Sequence, residues 1–270
     1  MTTSRLLQIL STQSGLAGLA VAGLIGVATA ARADVTISSD ATANMRCSAG
    51  ICTPTASDAV LNVGDLETLL ASGSVTVTTT GSGVQANNID VTAKLGWSAN
   101  VLTLDSCQSL SVTAPVTAGG KSGLSILTDD GGTGGELAFF GKGHVTFKNL
   151  TGKLAINGTN YTLVNSIASL AAAITKSPSG DYALASNYNA KNDGDYHDSP
   201  IATEFTGSFE GLGNKISNVS IVVMTGIKTD SRGFFASLAG TASISDFGLV
   251  SINFDLRHRP LALFLGALAG

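Results

Sequence analysis

The stretch "VLTLDSCQSLSVTAPVTAGGKSGLSIL", Val101 to Leu127, decides the reading of this chain. Apolar residues stand at every second position in "VLTLDS", "SLSVTAP" and "GLSIL", and a glycine turn, "AGGKSG", separates the last two. Period-two alternation marks strands with one face buried. The pattern extends in both directions. "SVTVTTT", "NIDVTAKL", "ELAFF", "HVTFKN" and "KLAINGTNYTLV" alternate in the same way, with turns such as "TGSG" and "DDGGTGG" between them. Strands of three to five residues suit the edges of stacked coils better than a sandwich. The alternation predicts an inward stack of Ile89, Val91, Leu102, Leu104, Leu110, Val112, Leu124, Ile126, Leu137, Phe139, Val145, Phe147, Leu154 and Ile156, with Thr, Ser, Asp and Lys facing water.

Composition agrees. Hydrophobic residues make up 44% of the 270 and charged residues 13%, so a core can form and Ser, Thr, Asn and Gly must cover the surface. The 32 glycines against 5 prolines fit an all-β chain rich in tight turns. A net charge of −4 leaves no electrostatic footprint for nucleic acid.

The first 33 residues read as an export signal. Arg5 precedes the apolar run "LAGLAVAGLIGVA", Leu16 to Ala28, and Ala31-Arg32-Ala33 offers small residues for cleavage before Asp34. The run falls short of the ~20 residues that span a bilayer. Removing Arg5 and Arg32 leaves 13 basic against 19 acidic residues, an acidic exported protein. Disulfides persist in such a compartment. Cys47 and Cys52, enclosing "SAGI", are therefore expected to pair. Cys107 reads as a small buried side chain.

Residues 34–60 read as an irregular lead-in and residues 61–165 as β coils. A short helix is expected near Asp65, with Leu61, Leu66, Leu69 and Leu70 on its apolar face, capping the stack. Over 166–200 the reading is an insertion. Ser166 caps a helix near 166–176 with Ile167, Leu170, Ala171 and Ile174 on one side, and a polar loop follows.

Residues 201–270 carry a repeat. Gly207 and Phe209 in "GSFEGLGNKISNVSI" align with Gly233 and Phe235 in "GFFASLAGTASISDFGL". Ile216, Val219 and Ile221 then align with Ile244, Phe247 and Leu249, and an incomplete third copy places Phe264 after Phe235. Gly207, Gly211 and Gly213 are expected at corners with positive φ, and Asn214 and Asn218 at turns or in a ladder with Asp246.

These two stretches, with "CTPTASDAVLNVGDLETLLASGSVTV" and "DDGGTGGELAF", resemble the GLUG-type repeats and filamentous haemagglutinin-like adhesins of bacterial surfaces. The resemblance implies a right-handed parallel β-helix, export to the surface or medium, and adhesion to a host or matrix glycan or protein. It also implies an outer-membrane translocator as export partner, no catalytic residues and no cofactor. Two other readings stand beside it: a β-helix enzyme that cleaves polysaccharide, and a truncated piece of a longer adhesin. The acids Asp105, Asp129, Glu136, Glu204 and Glu210 share no register in the sequence, and the loop "KNDGDYHDS" lacks calcium-loop spacing.

Overall fold

The computed structural model describes residues 34–223, 230–256, 263–265 and 268. The expected export signal, 1–33, lies outside them. The described chain is predominantly β and most of its sheets are parallel.

A ten-stranded sheet runs the length of the described chain. Its strands, in spatial order, are Met45–Ser48, Ile51–Pro54, Val75–Thr78, Val101–Asp105, Gly123–Leu127, Lys153–Ile156, Thr159–Val164, Asp181–Leu184, Ser208–Glu210 and Ser243–Ser245. Register is in phase across it. Leu102 lies between Val75 and Leu124, and Leu104 between Val77 and Ile126. A second sheet stacks Ala59–Asn62, Asp34–Ser38, Asn88–Val91, Leu110–Val112 and Leu137–Phe139, and a third stacks Leu95–Trp97, Pro115–Ala118 and His144–Phe147. Each pass of the chain from Val101 to Ala118, and again from Gly123 to Phe147, contributes one strand to each sheet. Apolar side chains from all three sheets meet in one core.

The lead-in is not irregular. It holds four strands, because Val35 and Ile37 are completely buried and complete rows of the second sheet. Asp34–Ser38 sits between two later strands, with Val35 beside Ala59 on one side and Ile89 on the other. Met45–Ser48 and Ile51–Pro54 form a hairpin with Cys47 opposite Cys52, and the two are joined by a disulfide. The following helix, α1 (Val63–Ser72), begins just before Asp65. Asn62 caps it, accepting from the Gly64 and Asp65 amides at 2.8 and 3.2 Å. Its buried Leu66 and Leu70 join the first core, whereas Leu61 reaches that core from the strand Ala59–Asn62, before the Asn62 cap.

The ladder reverses at "INGT". Asn157 and Gly158 both take positive φ, +48° and +80°, the geometry of a two-residue hairpin. Lys153–Ile156 and Thr159–Val164 are thus antiparallel, with Leu154 opposite Tyr161. Beyond the hairpin the core changes sides. Leu163, Ala183 and Ala185 still face the first core, while their neighbours Val164, Tyr182 and Leu184 face a second one. That second core contains Phe205, Phe209, Phe234 and Phe235, all fully buried. One sheet therefore has a core on each face, used in different stretches.

The helix expected near 166–176 is α2 (Ile167–Lys176), with Ser166 and Ser169 in a reciprocal capping box. The segment after it is not an insertion. Asp181–Leu184, Tyr188–Asn189 and Asp195–Tyr196 pair in parallel with Ser208–Glu210, Lys215–Ser217 and Ser220–Val223. The expected loop is thus the first pass of the second stack.

The repeat holds, but in another register. Phe209 pairs with Ile244 and not Phe235, Ile216 with Leu249 and not Ile244, and Ile221 with Phe254 and not Leu249. Phe235 lies beside Ile201, and Phe264 pairs with Ser231. The physical period is longer than the spacing of matched residue types, because the chain after Val223 adds the strand Asp230–Arg232 to the pass. Val219 is buried beside these rows, and the Phe209 and Phe247 rings pack edge to face at 5.0 Å. Gly213 does take positive φ, +73°. Gly207 and Gly211 do not; they are needed for space. A Cβ at Gly207 would lie 2.1 Å from the Gly180 carbonyl oxygen, and one at Gly211 would lie 2.2 Å from that of Asp246. Gly233 is buried, its amide donating to Ser199 Oγ at 3.3 Å.

Candidate functional site

The third sheet ends at His144–Phe147, where the reversal removes its next strand. Backbone from the second stack closes it instead. The Val145 amide donates to the Leu212 carbonyl at 2.9 Å, and the Phe147 amide to the Ala185 carbonyl at 2.7 Å. Asn214 completes the closure. It is 1% exposed, and its Nδ2 donates to the carbonyls of Val145 (2.7 Å) and Leu184 (3.1 Å), one in each stack. Its Oδ1 has no hydrogen-bond partner. A buried, unmatched carbonyl oxygen costs free energy, so it marks a place where a donor belongs. Asn214 closes the expected turn, its amide donating to the Gly211 carbonyl at 2.9 Å, and its side chain is a cross-stack clamp, not a ladder partner of Asp246. Asn218 does sit at a turn, φ +59°, and its Nδ2 donates to Asn189 Oδ1 at 2.9 Å.

Beside Asn214 lies a groove of about 500 Å³ between Pro115, the Gly141–His144 turn, Asn187, Lys215 and Gly248. Its lining holds Lys142, Lys215 and His144 and no carboxylate. The same sheet carries a second groove of about 500 Å³, lined by Lys94, Gly96, Trp97, Ser98, Thr117 and Lys148. Pro115 of the central strand lines the first groove and Thr117 of that strand lines the second. Trp97 is 7% exposed and its Nε1 also lacks a partner. Lys121 lies on the adjoining turn, its amide bonded to the Ser98 carbonyl. These five exposed lysines are half of the ten basic residues described, gathered on one face of an acidic chain. Glu67 stands at the border of this face with its Oε1 held by the Gly96 amide at 2.7 Å.

Acidic groups gather elsewhere. Glu210 is 4% exposed on the side of the long sheet that faces the first core. Its Oε1 accepts from the Leu212 amide at 2.7 Å and its Oε2 from Ser245 Oγ at 2.6 Å. Burial pushes its carboxyl up to about 7, against the pull of both bonds. Burial also raises Asp246, with Glu136 adding repulsion. Glu136 and Asp246 line a groove of about 470 Å³ walled by Phe139 and Phe140. The Asp105 carboxyl is raised to about 6 by burial and then by its hydrogen bond to Asp130. Directly bonded carboxyls stand closer than the ~5 Å or more that glycoside cleavage needs. In the loop "KNDGDYHDS", Asp193 accepts from the Tyr188 and Tyr196 hydroxyls at 2.6 and 2.7 Å. Among the described residues no set of three or more metal-ligating side chains converges.

Cys107 is buried, and Trp97 is a core residue that also lines the second groove. No pattern in the sequence singles out Lys94, Lys142 or Lys148; "GKGH" shows a lysine between turn glycines, but only the stacking brings it beside Lys215. Comparison of the chain with protein families, with curated proteins and with solved structures finds no match in any of the three.

Proposed function

We propose that the passes wind as a right-handed parallel β-helix and that the chain is an exported, non-catalytic, adhesin-like scaffold contacting a matrix or surface glycan or protein. The observation that carries this is the in-phase parallel row Val75–Leu102–Leu124–Leu154 with its companions in the second and third sheets. Parallel crossovers wind right-handed in nearly all cases. The reversal at Asn157–Gly158 does not break that hand. Strand direction and core side both invert there, and two inversions leave the sense of winding unchanged. A scaffold of stacked passes needs no cofactor and presents its outer faces for contact. Export through a translocator belongs to the same proposal.

The test is twofold. Fractionation of the native cells should find the chain in the medium or at the surface with Asp34 as its first residue. The purified chain should bind matrix-coated surfaces saturably. A cytoplasmic chain with an intact N-terminus, or no surface binding, would sink the proposal.

The groove holding Glu136 and Asp246 beside two phenylalanines favours a second reading, polysaccharide cleavage. New reducing ends released by the chain, and lost in Glu136→Gln or Asp246→Asn, would establish it.

A further inference from the structure

We propose that the lysine-bearing face of the third sheet binds an acidic polysaccharide whose sugars carry uronate carboxylates and free hydroxyls. This rests on the adhesive reading and names the ligand class for it. Two independent observations point the same way. The first is charge. Lys142 and Lys215 flank one groove and Lys94 and Lys148 the other, with no carboxylate in either lining, although the chain as a whole is acidic. Arg232 pairs with Asp198 far along the chain, and these lysines take no part in that pair. A row of cations along grooves whose linings hold no carboxylate concentrates positive field on that row.

The second observation is the pair of buried polar atoms left unmatched. Asn214 Oδ1 needs a hydrogen-bond donor, and Trp97 Nε1 needs an acceptor. Each belongs to a residue lining one of the two grooves. A uronate unit offers both: hydroxyl groups that donate and a carboxylate that accepts. His144 adds a further polar contact. Its Nδ1 lies 2.9 Å from the Lys142 carbonyl, to which it donates, which leaves Nε2 for another partner.

The two grooves share the strand Pro115–Ala118, so one extended chain can engage both. Glycine is frequent in both linings. Gly141, Gly143, Gly213 and Gly248 line the first, and Gly96, Gly119 and Gly120 the second. Flat saccharide rings meet little side chain there. A nucleic acid is the other polyanion to weigh. Single strands bind through exposed aromatic platforms, and the described residues lining the two grooves include one aromatic ring apart from His144, that of Trp97, which is 7% exposed.

The test uses the full chain and a fluorescent all-uronate hexasaccharide, with a neutral glucose hexasaccharide and a single-stranded hexanucleotide as comparators. Trp97, the only tryptophan, supplies a second signal through its emission. The uronate should bind, shift Trp97 emission and weaken as salt rises. Losing two exposed ion pairs, through Lys142→Gln with Lys215→Gln, should weaken binding about tenfold. The further pair Lys94→Gln and Lys148→Gln should abolish it. Lys176→Gln with Lys191→Gln, equal in charge but on other elements, should change it less than twofold. Equal loss in that control pair, equal binding of the neutral hexasaccharide, or tighter binding of the hexanucleotide would overturn the inference. Surface adhesion without uronate binding would overturn it while leaving the adhesive reading intact. Failure of both would remove the two together.

Discussion

Glu210→Gln isolates the energetic cost of one buried carboxyl. Glu210 is nearly inaccessible, and its carboxyl rises from the ordinary 4.5 to about 7. Below pH 4.5 it is protonated in both the folded and the unfolded chain, and it costs nothing. Between 4.5 and 7 the unfolded chain gives up the proton while the folded chain keeps it, so stability falls as pH rises. Each pH unit in that window is worth about 1.4 kcal/mol, which places the total at about 3 kcal/mol by pH 8. Glutamine keeps the contacts. Its oxygen can accept from the Leu212 amide, and its amide can donate to Ser245 Oγ. Denaturant unfolding of wild type and variant, with the Cys47–Cys52 bridge intact, should give equal stabilities at pH 4. At pH 8 the variant should be more stable by about 3 kcal/mol. Two curves that stay parallel from pH 4 to 8, with the variant weaker throughout, would refute the reasoning. The hydrogen bonds of the carboxylate would then outweigh its desolvation.

Three further outcomes follow from the geometry. Gly207→Ala should destabilise by about 2 kcal/mol or more, because its Cβ meets the Gly180 backbone at 2.1 Å; Gly240→Ala, with open space around it, should stay within about 0.5 kcal/mol, both read by chemical unfolding. Asp105 should titrate near 6 by carboxyl NMR, and Asp130→Asn should lower that midpoint without returning it to 3.8, since burial is the larger cause. Its contribution to stability, present at low pH, is lost as pH rises through 6, and Asp130→Asn should narrow that loss. Phe209→Ala should cost about 3–5 kcal/mol by the same unfolding assay, because the ring is fully buried against Phe235 and Phe247.

The inward faces are readable from alternation because each strand needs only its own period to choose a face. Val91, Leu104, Leu124 and Phe147 are buried as expected. Leu137, Phe139 and Ile156 are only partly buried, since they lie where the first stack stops, and no local pattern announces a stopping point. The Asn157-Gly158 dipeptide is itself a hairpin signal, and the apolar phase shifts across it, from Leu154 and Ile156 to Tyr161 and Leu163; the stretch reads as one strand only when each half's alternation is counted without that shift. The repeat period fails for a different reason. Residue types match Phe209 to Phe235 and Ile216 to Ile244, whereas backbone pairing counts the whole pass, turns included, and sets Phe209 against Ile244 and Ile216 against Leu249. The lysine face cannot be read at all from spacing. Lys94, Lys148 and Lys215 belong to distant parts of the sequence and become neighbours of one sheet only through stacking.

The strand Asp34–Ser38 has a consequence for the order of assembly. It comes first among the described residues, yet both its partners, Ala59–Asn62 and Asn88–Val91, lie downstream of it. The rows of this sheet therefore do not lie in the order of the chain. The strand gathers a later one on each edge, and each pairing closes a long loop before its contacts repay it. The strand behaves as a keystone. Once seated it is gripped along both edges, and trimming the chain past Ser38 would leave a strand-wide gap between Ala59–Asn62 and Asn88–Val91, not merely a frayed end.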